Sequence, residues 1–185
     1  ASGKNCGPSS WGADGETIIM SVVDQAFDGM TVKYSDSTKV TALVKTPAVE
    51  QTGVLSPNGR YLAYSSTETG QREVFVRDLS PAGGKWQISA DNGWDAKWRA
   101  DGKELIYSTR SFDFKAVEVN TAGAHFDAGR PEKLFRQRMA ITGTTQFRWD
   151  MTADAQKFIL NVPQTGEATG EFVVVLNWAE ELNKR

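Results

Sequence analysis

The chain has 185 residues, 39% hydrophobic and 24% charged, with 21 lysines and arginines against 23 acidic residues. That length suits one domain or one continuous array of repeats, and a net charge of -2 gives no bulk pull toward nucleic acid or an anionic membrane. No apolar run reaches the roughly 20 residues that span a bilayer as a helix. The single cysteine, Cys6, excludes an internal disulfide and reads as an inert thiol. The sequence opens on Ala1, with neither an initiating Met nor a signal peptide, which fits a processed form, an excised domain or a piece of something longer.

Taken in chain order, the predicted elements are nearly all strands. Trp11 precedes a turn at Ala13-Asp14-Gly15-Glu16, and a strand begins at Thr17-Ile18-Ile19. A loop over 24–29 leads to strands at 30–34 and 40–44. Leu55 then precedes the turn Ser56-Pro57-Asn58-Gly59-Arg60, followed by strands at 61–64, 73–79 and 85–89. Trp98 precedes Ala100-Asp101-Gly102-Lys103, followed by strands at 105–107, 116–119 and 132–135 and by loops over 121–131 and 136–144. Trp149 precedes a worn copy, Ala153-Asp154-Ala155-Gln156, with strands at 158–160 and 172–178 and a helical tail at 179–185.

The same phrase thus occurs four times, and its Asp or Asn positions, 14, 58, 101 and 154, lie 44, 43 and 53 residues apart. Asp-Gly and Asn-Gly tolerate the positive φ of a tight hairpin, so each phrase reads strand, turn, strand. A second strand pair follows in each unit. A period of about 40–50 residues with four strands per unit is the signature of a propeller blade. The fold class is therefore all-β, a propeller of about four four-stranded blades. The sequence is read as a single domain over 1–185, with blades near 6–46, 51–90, 94–136 and 144–178.

These units resemble the repeats of TolB-like and WD-repeat-like propellers. The TolB-like phrase, Ser-Pro-Asp-Gly-Lys before an apolar strand, is nearly matched by Ser56-Pro57-Asn58-Gly59-Arg60. The stretch from Asp150 to Pro163, with Val173-Val174-Val175-Leu176-Asn177-Trp178, resembles the last blade of propellers appended to bacterial serine/threonine kinases and winged-helix regulators. The resemblance implies a periplasmic or extracellular setting. TolB-like propellers close with six or more blades, whereas this sequence offers about four. Open propellers expose strand edges that seek partners. Three arrangements follow: a closed four-bladed ring, two copies forming an eight-bladed homodimer, or part of a longer propeller. The two-copy ring is the favoured expectation, because cyclic dimers are the commonest oligomers.

Catalytic signals are thin. His125 is the sole histidine and sits in a turn-rich loop, and no Gly-x-Ser-x-Gly elbow is present. No Cys/His spacing suits zinc, Asp91-Asn92-Gly93-Trp94-Asp95 lacks the full calcium-loop pattern, and no phosphate loop occurs. The reading is a non-enzyme with no cofactor, no metal and no catalytic residue. Of the tryptophans, Trp11, Trp98 and Trp149 read as packing between blades, Trp86 as an outer-strand residue and Trp178 as an edge cover. Trp94 reads as an exposed loop aromatic.

In a propeller, the connections between second and third strands and between blades gather on one face. There they place Trp94, Asp95, Arg110, Phe112, Arg138 and Gln146, an aromatic-plus-arginine composition suited to recognition. The expected function is a binding module for a protein or peptide partner, with neither nucleic acid nor membrane insertion. A structural fragment without ligand is the alternative. A carbohydrate- or peptide-active enzyme using Asp95, Asp150 or Asp113 as acid/base groups is the less favoured one.

Overall fold

In a computed structural model of the protein, residues 5–24, 26–33, 40–81, 83–123, 125–140, 148–163 and 174–176 are described. The elements among them are all strands, in four antiparallel sheets. The first holds β1 (Asn5–Trp11), β2 (Thr17–Asp24), β3 (Ala26–Lys33) and β4 (Val40–Val44). The second holds β5 (Glu50–Leu55), β6 (Tyr61–Ser66), β7 (Glu73–Asp78) and β8 (Gly84–Gln87). The third holds β9 (Gly93–Trp98), β10 (Glu104–Thr109) and β11 (Asp113–Asn120), with β12 (Asp127–Ala128) and β13 (Glu132–Arg136) both pairing with β11. The fourth holds β14 (Trp149–Met151), β15 (Lys157–Leu160) and β16 (Val174–Leu176).

Two sheets depart from the expected four strands. β11 is long enough for Asp113 to Ala116 to pair with β13 while Val119 and Asn120 pair with β12. The fourth sheet has three strands among the described residues. Asp24 and residues 26–29, expected as a loop, continue the hairpin of β2 and β3, with Val22 opposite Asp28 and Val23 opposite Phe27. Asp28-Gly29 is a turn signal, but pairing with the whole apolar run of β2 overrides it. The expected helix at 179–185, Trp178 and the end of the 136–144 loop lie outside the described residues.

The four turns repeat one hydrogen-bond set. Gly12, Ser56, Arg99 and Thr152 each donate their N–H to the carbonyl five residues on, at 2.7–2.9 Å. The side chains of Asp14, Asn58, Asp101 and Asp154 each accept the N–H two residues on, at 3.0–3.1 Å. Gly15, Gly59, Gly102 and Ala155 follow with φ of 69°, 71°, 71° and 57°. The repeated Asp/Asn is therefore a turn former. In the worn fourth copy an alanine carries the left-handed conformation that glycine adopts without cost.

Packing runs from sheet to sheet. Ile19, Val44, Leu62, Tyr64 and Phe75 join the first to the second. Tyr61, Ala63, Val76, Trp98, Leu105 and Tyr107 belong to the cluster joining the second to the third. Ile106, Phe114, Trp149 and Phe158 belong to the cluster joining the third to the fourth. In β6 and β10 successive residues thus face opposite neighbours, which is why both strands read as unbroken apolar runs. Among the described residues no apolar cluster joins the fourth sheet to the first.

Candidate functional site

The inner strands carry a repeated irregularity near their starts. The pairings of β1, β5 and β9 are each interrupted by a register shift. Thr52 and Asp95 sit in the left-handed region, with φ of 53° and 46°. They hold the same place in their repeats: Thr52, Asp95 and Arg148 each precede the turn Asp or Asn by six residues. A bulge re-aims a side chain, and Asp tolerates this backbone better than larger residues do.

At that place two neighbouring sheets put opposite charges together. Arg148 donates from Nη2 and Nε to Asp95 Oδ2 at 3.2 and 3.4 Å. Both side chains are enclosed, 11% and 7% exposed. Burial pushes the Asp95 carboxyl above its ordinary range, and Arg148 opposes that shift. The Arg72 and Arg148 guanidinium carbons lie 4.9 and 5.1 Å from the centroid of the Trp94 ring. Arg72 also donates to Gln51 Oε1, and burial lowers its pKa. The Trp94 Nε1 is buried without a hydrogen-bond partner.

Glu73, directly after Arg72, fixes this arrangement. Its carboxylate accepts from Ser89 Oγ and from the N–H groups of Asn92 and Gly93 at 3.1 and 3.2 Å. The residue after Arg72 is thereby tied to the residue before Trp94. Arg110 N donates to the Asn92 carbonyl at 3.0 Å, which brings the β10–β11 connection to the same place.

The face residues expected from sequence divide into groups. Trp94 and Asp95 are brought together, but Trp94 lies half-buried on β9 and not on an exposed loop. Arg110 and Arg138 are exposed and form no ion pair among the described residues. Phe112, at φ 64°, packs against the cluster between the third and fourth sheets. Gln146 lies outside the described residues. Arg72 and Arg148 were not singled out by sequence reasoning. Arg148 was findable, because it follows Asp95 by 53 residues, the spacing of Asp101 and Asp154.

The three carboxylates considered for acid/base work each meet a cation. Asp95 meets Arg148, Asp150 meets Lys97 at 3.2 Å, and Asp113 meets Arg136 and Lys133 at 2.7 Å each. The Arg136 hydrogen bonds hold the Asp113 carboxyl well below the usual range. His125 is exposed, and among the described residues no group of three His, Cys, Asp or Glu could hold a metal ion.

The opposite end of the inner strands is different in character. A cavity of about 300 Å³ is lined by equivalent positions of all four repeats, among them Trp11, Leu55, Trp98 and Met151. Inner-strand residues of all four repeats thus meet at one cavity. Trp98 is buried and donates from Nε1 to the Val54 carbonyl of the preceding inner strand at 3.2 Å, as expected of packing between blades. Trp149 is likewise buried, against Phe114 and Phe158. Trp86 packs half-buried beside Phe126. Trp11 departs from the expectation and is 64% exposed: among the described residues no sheet precedes its own.

No family model and no curated protein matches the sequence. Solved structures do. TolB from Acinetobacter baumannii matches with a TM-score of 0.65 and 12% identity over 88% of this chain and 39% of its own. The Cps50 (Swd1) β-propeller domain from Myceliophteria thermophila matches at 0.58 and 11%, over 93% of this chain and 55% of its own. An oligogalacturonate lyase in complex with manganese matches at 0.56 and 13%, over 88% and 46%. The protein is thus an all-β propeller module resembling TolB-like and WD-repeat-like propellers in fold, and it spans about half or less of the length of these three structures. Enzymes share the fold, so the fold does not assign the activity.

Proposed function

We propose that the protein is a non-enzymatic interaction module, an arc of propeller blades that closes its ring against a second copy and offers one face to a partner protein. The observation that carries this reading is the missing fourth cluster. Apolar clusters join each sheet to the next, yet among the described residues none joins the last to the first. The exposure of Trp11 supports it, since the equivalent Trp98 packs back onto a preceding sheet. In a two-copy ring the last sheet of one copy becomes the sheet before Trp11 of the other, and a two-fold axis creates both joints at once. Size exclusion with light scattering over a dilution series tests it. A mass twice that of the single protein, halving on dilution and at higher concentration for Trp11→Ala, is expected. A persistent monomer at all concentrations would end the two-copy reading.

A further inference from the structure

Two guanidinium groups, from Arg72 and Arg148, lie over the Trp94 ring, and one carboxylate, Asp95, is buried beside them. That carboxylate is hydrogen-bonded to Arg148. Arg72 bonds to the neutral Gln51 and has no ion pair among the described residues. Arg72 thus shares Asp95 with Arg148 and has no carboxylate of its own within ion-pair distance among the described residues, in a half-buried place where an incompletely compensated charge is costly. Burial already disfavours the charged form of Arg72. The nearby Glu73 carboxylate is engaged by Ser89 and by the N–H groups of Asn92 and Gly93. Arg110 and Arg138 lack ion pairs among the described residues, and Asp113 is already held by Lys133 and Arg136.

We propose that Arg72, held against Trp94 near the starts of β5 and β9, captures the side-chain carboxylate of an acidic residue on a partner protein. The proposal rests on the reading above that this face is the interaction face. A guanidinium lying over an indole keeps its planar edge of donors available, and that edge matches a carboxylate with two parallel hydrogen bonds. The Glu73 clamp holds the backbone on both sides, so little ordering is required on binding. A peptide fits better than nucleic acid. Guanidinium groups lie over the indole where a base would stack, and the net charge of -2 gives no field to track a phosphate backbone.

The test is a titration at constant ionic strength, read on the Trp94 indole N–H resonance of the ¹⁵N-labelled full-length protein and assigned with Trp94→Phe. Hexaglutamate, acetylated and amidated at its ends, is the probe, with hexaglutamine capped in the same way and an oligothymidine as comparisons. A saturable shift with hexaglutamate is expected, weakened roughly tenfold in Arg72→Gln and kept in Arg110→Gln. Arg72→Lys, which keeps the charge and loses the fork, is expected to bind several-fold more weakly than the parent. Equal affinity of the parent and both Arg72 variants, an equal response to hexaglutamine, or tighter binding of oligothymidine would each overturn the proposal. A monomer that binds hexaglutamate through Arg72 would keep this inference and end the two-copy ring. A dimer that does not bind would end this inference alone.

Discussion

Arg148→Met asks whether the buried pair between the third and fourth sheets stabilises the fold. The variant keeps an unbranched side chain of similar length and strands the Asp95 carboxylate, whose side chain is 7% exposed. Deleting one partner of a buried pair costs about 3–5 kcal/mol. The full amount is not expected here. The contacts of 3.2 and 3.4 Å exceed the 2.7–2.9 Å or so of a tight charge-assisted bond. Arg72 also lies over the same indole and acts electrostatically on Asp95. We expect a loss of about 2–3 kcal/mol. With a urea slope of about 2 kcal/mol/M, that lowers the midpoint by about 1–1.5 M.

The pH dependence gives a second reading of the same variant. Without Arg148 the Asp95 carboxyl rises further above its ordinary value of 3.8. A carboxyl raised in the folded state binds its proton more tightly there than in the unfolded state. Its cost is complete above the folded value and disappears as pH falls below the unfolded one. The deficit of Arg148→Met should therefore shrink between pH 7 and pH 4, close to the ordinary value of 3.8, by at most about 1.4 kcal/mol for each unit of added shift. Asp95→Asn combined with Arg148→Met should recover part of the loss at pH 7, because no charge is stranded. Tryptophan-monitored urea unfolding at fixed protein concentration reads all three proteins. A deficit below about 1 kcal/mol, or one that is the same at both pH values, would refute the reasoning.

Gly59 sits at φ 71° with no heavy atom within 4 Å of a built Cβ, so Gly59→Ala tests backbone conformation alone and should cost about 1 kcal/mol in thermal unfolding. An unchanged or raised Tm would contradict that. Phe158 is buried between the rings of Phe114, Phe135 and Trp149, so Phe158→Ala should cost about 3–5 kcal/mol, while Ile159→Ala next door, largely exposed, should cost less than about 0.5. The reverse order would show that β15 is turned over. Hydrogen bonds from Arg60 hold the Asp78 carboxyl down to about 2. A depressed carboxyl contributes stability that is complete above the unfolded value of 3.8 and is lost as pH falls through about 2. Asp78→Asn should therefore flatten the acid limb of the stability curve between those values, and an unchanged slope would rule the pair out as a contributor.

The fold was legible because its unit is local. A turn needing positive φ leaves an Asp-Gly or Asn-Gly in the text, and the strand behind it leaves an apolar run. Even the worn copy at Asp154-Ala155 betrayed itself through spacing. Where local chemistry misled, a longer pairing had won, as when the β2 ladder ran through Asp28-Gly29. The site was half legible. Trp94 and Asp95 were singled out from their place near a blade junction and lie side by side in the structure, but Trp94 is half-buried where exposure was expected. Its neighbours come from other blades, 22 and 54 residues away in sequence. Window-by-window reading does not register such distances, and reading down one repeat position does. Thr52, Asp95 and Arg148 share that position, and reading down it brings Asp95 and its cation Arg148 together.

The two ends of the inner strands make opposite choices at equivalent depth. At the turn end the repeat places Leu55, Trp98 and Met151 around one cavity. At the other end the same strands carry Thr52, Asp95 and Arg148. A buried ion pair is weak evidence for stability, since apolar residues of similar volume often serve as well or better. The turn end places such residues on its cavity beside the more exposed Lys97–Asp150 pair. The charge kept at the starts of the strands is therefore where the proposed partner contact would act. The guanidinium of Arg72, the clamp from Glu73 and the exposed Arg110 and Arg138, without ion pairs among the described residues, lie on that same side, which is where a partner's acidic side chain would find the counter-charge we propose.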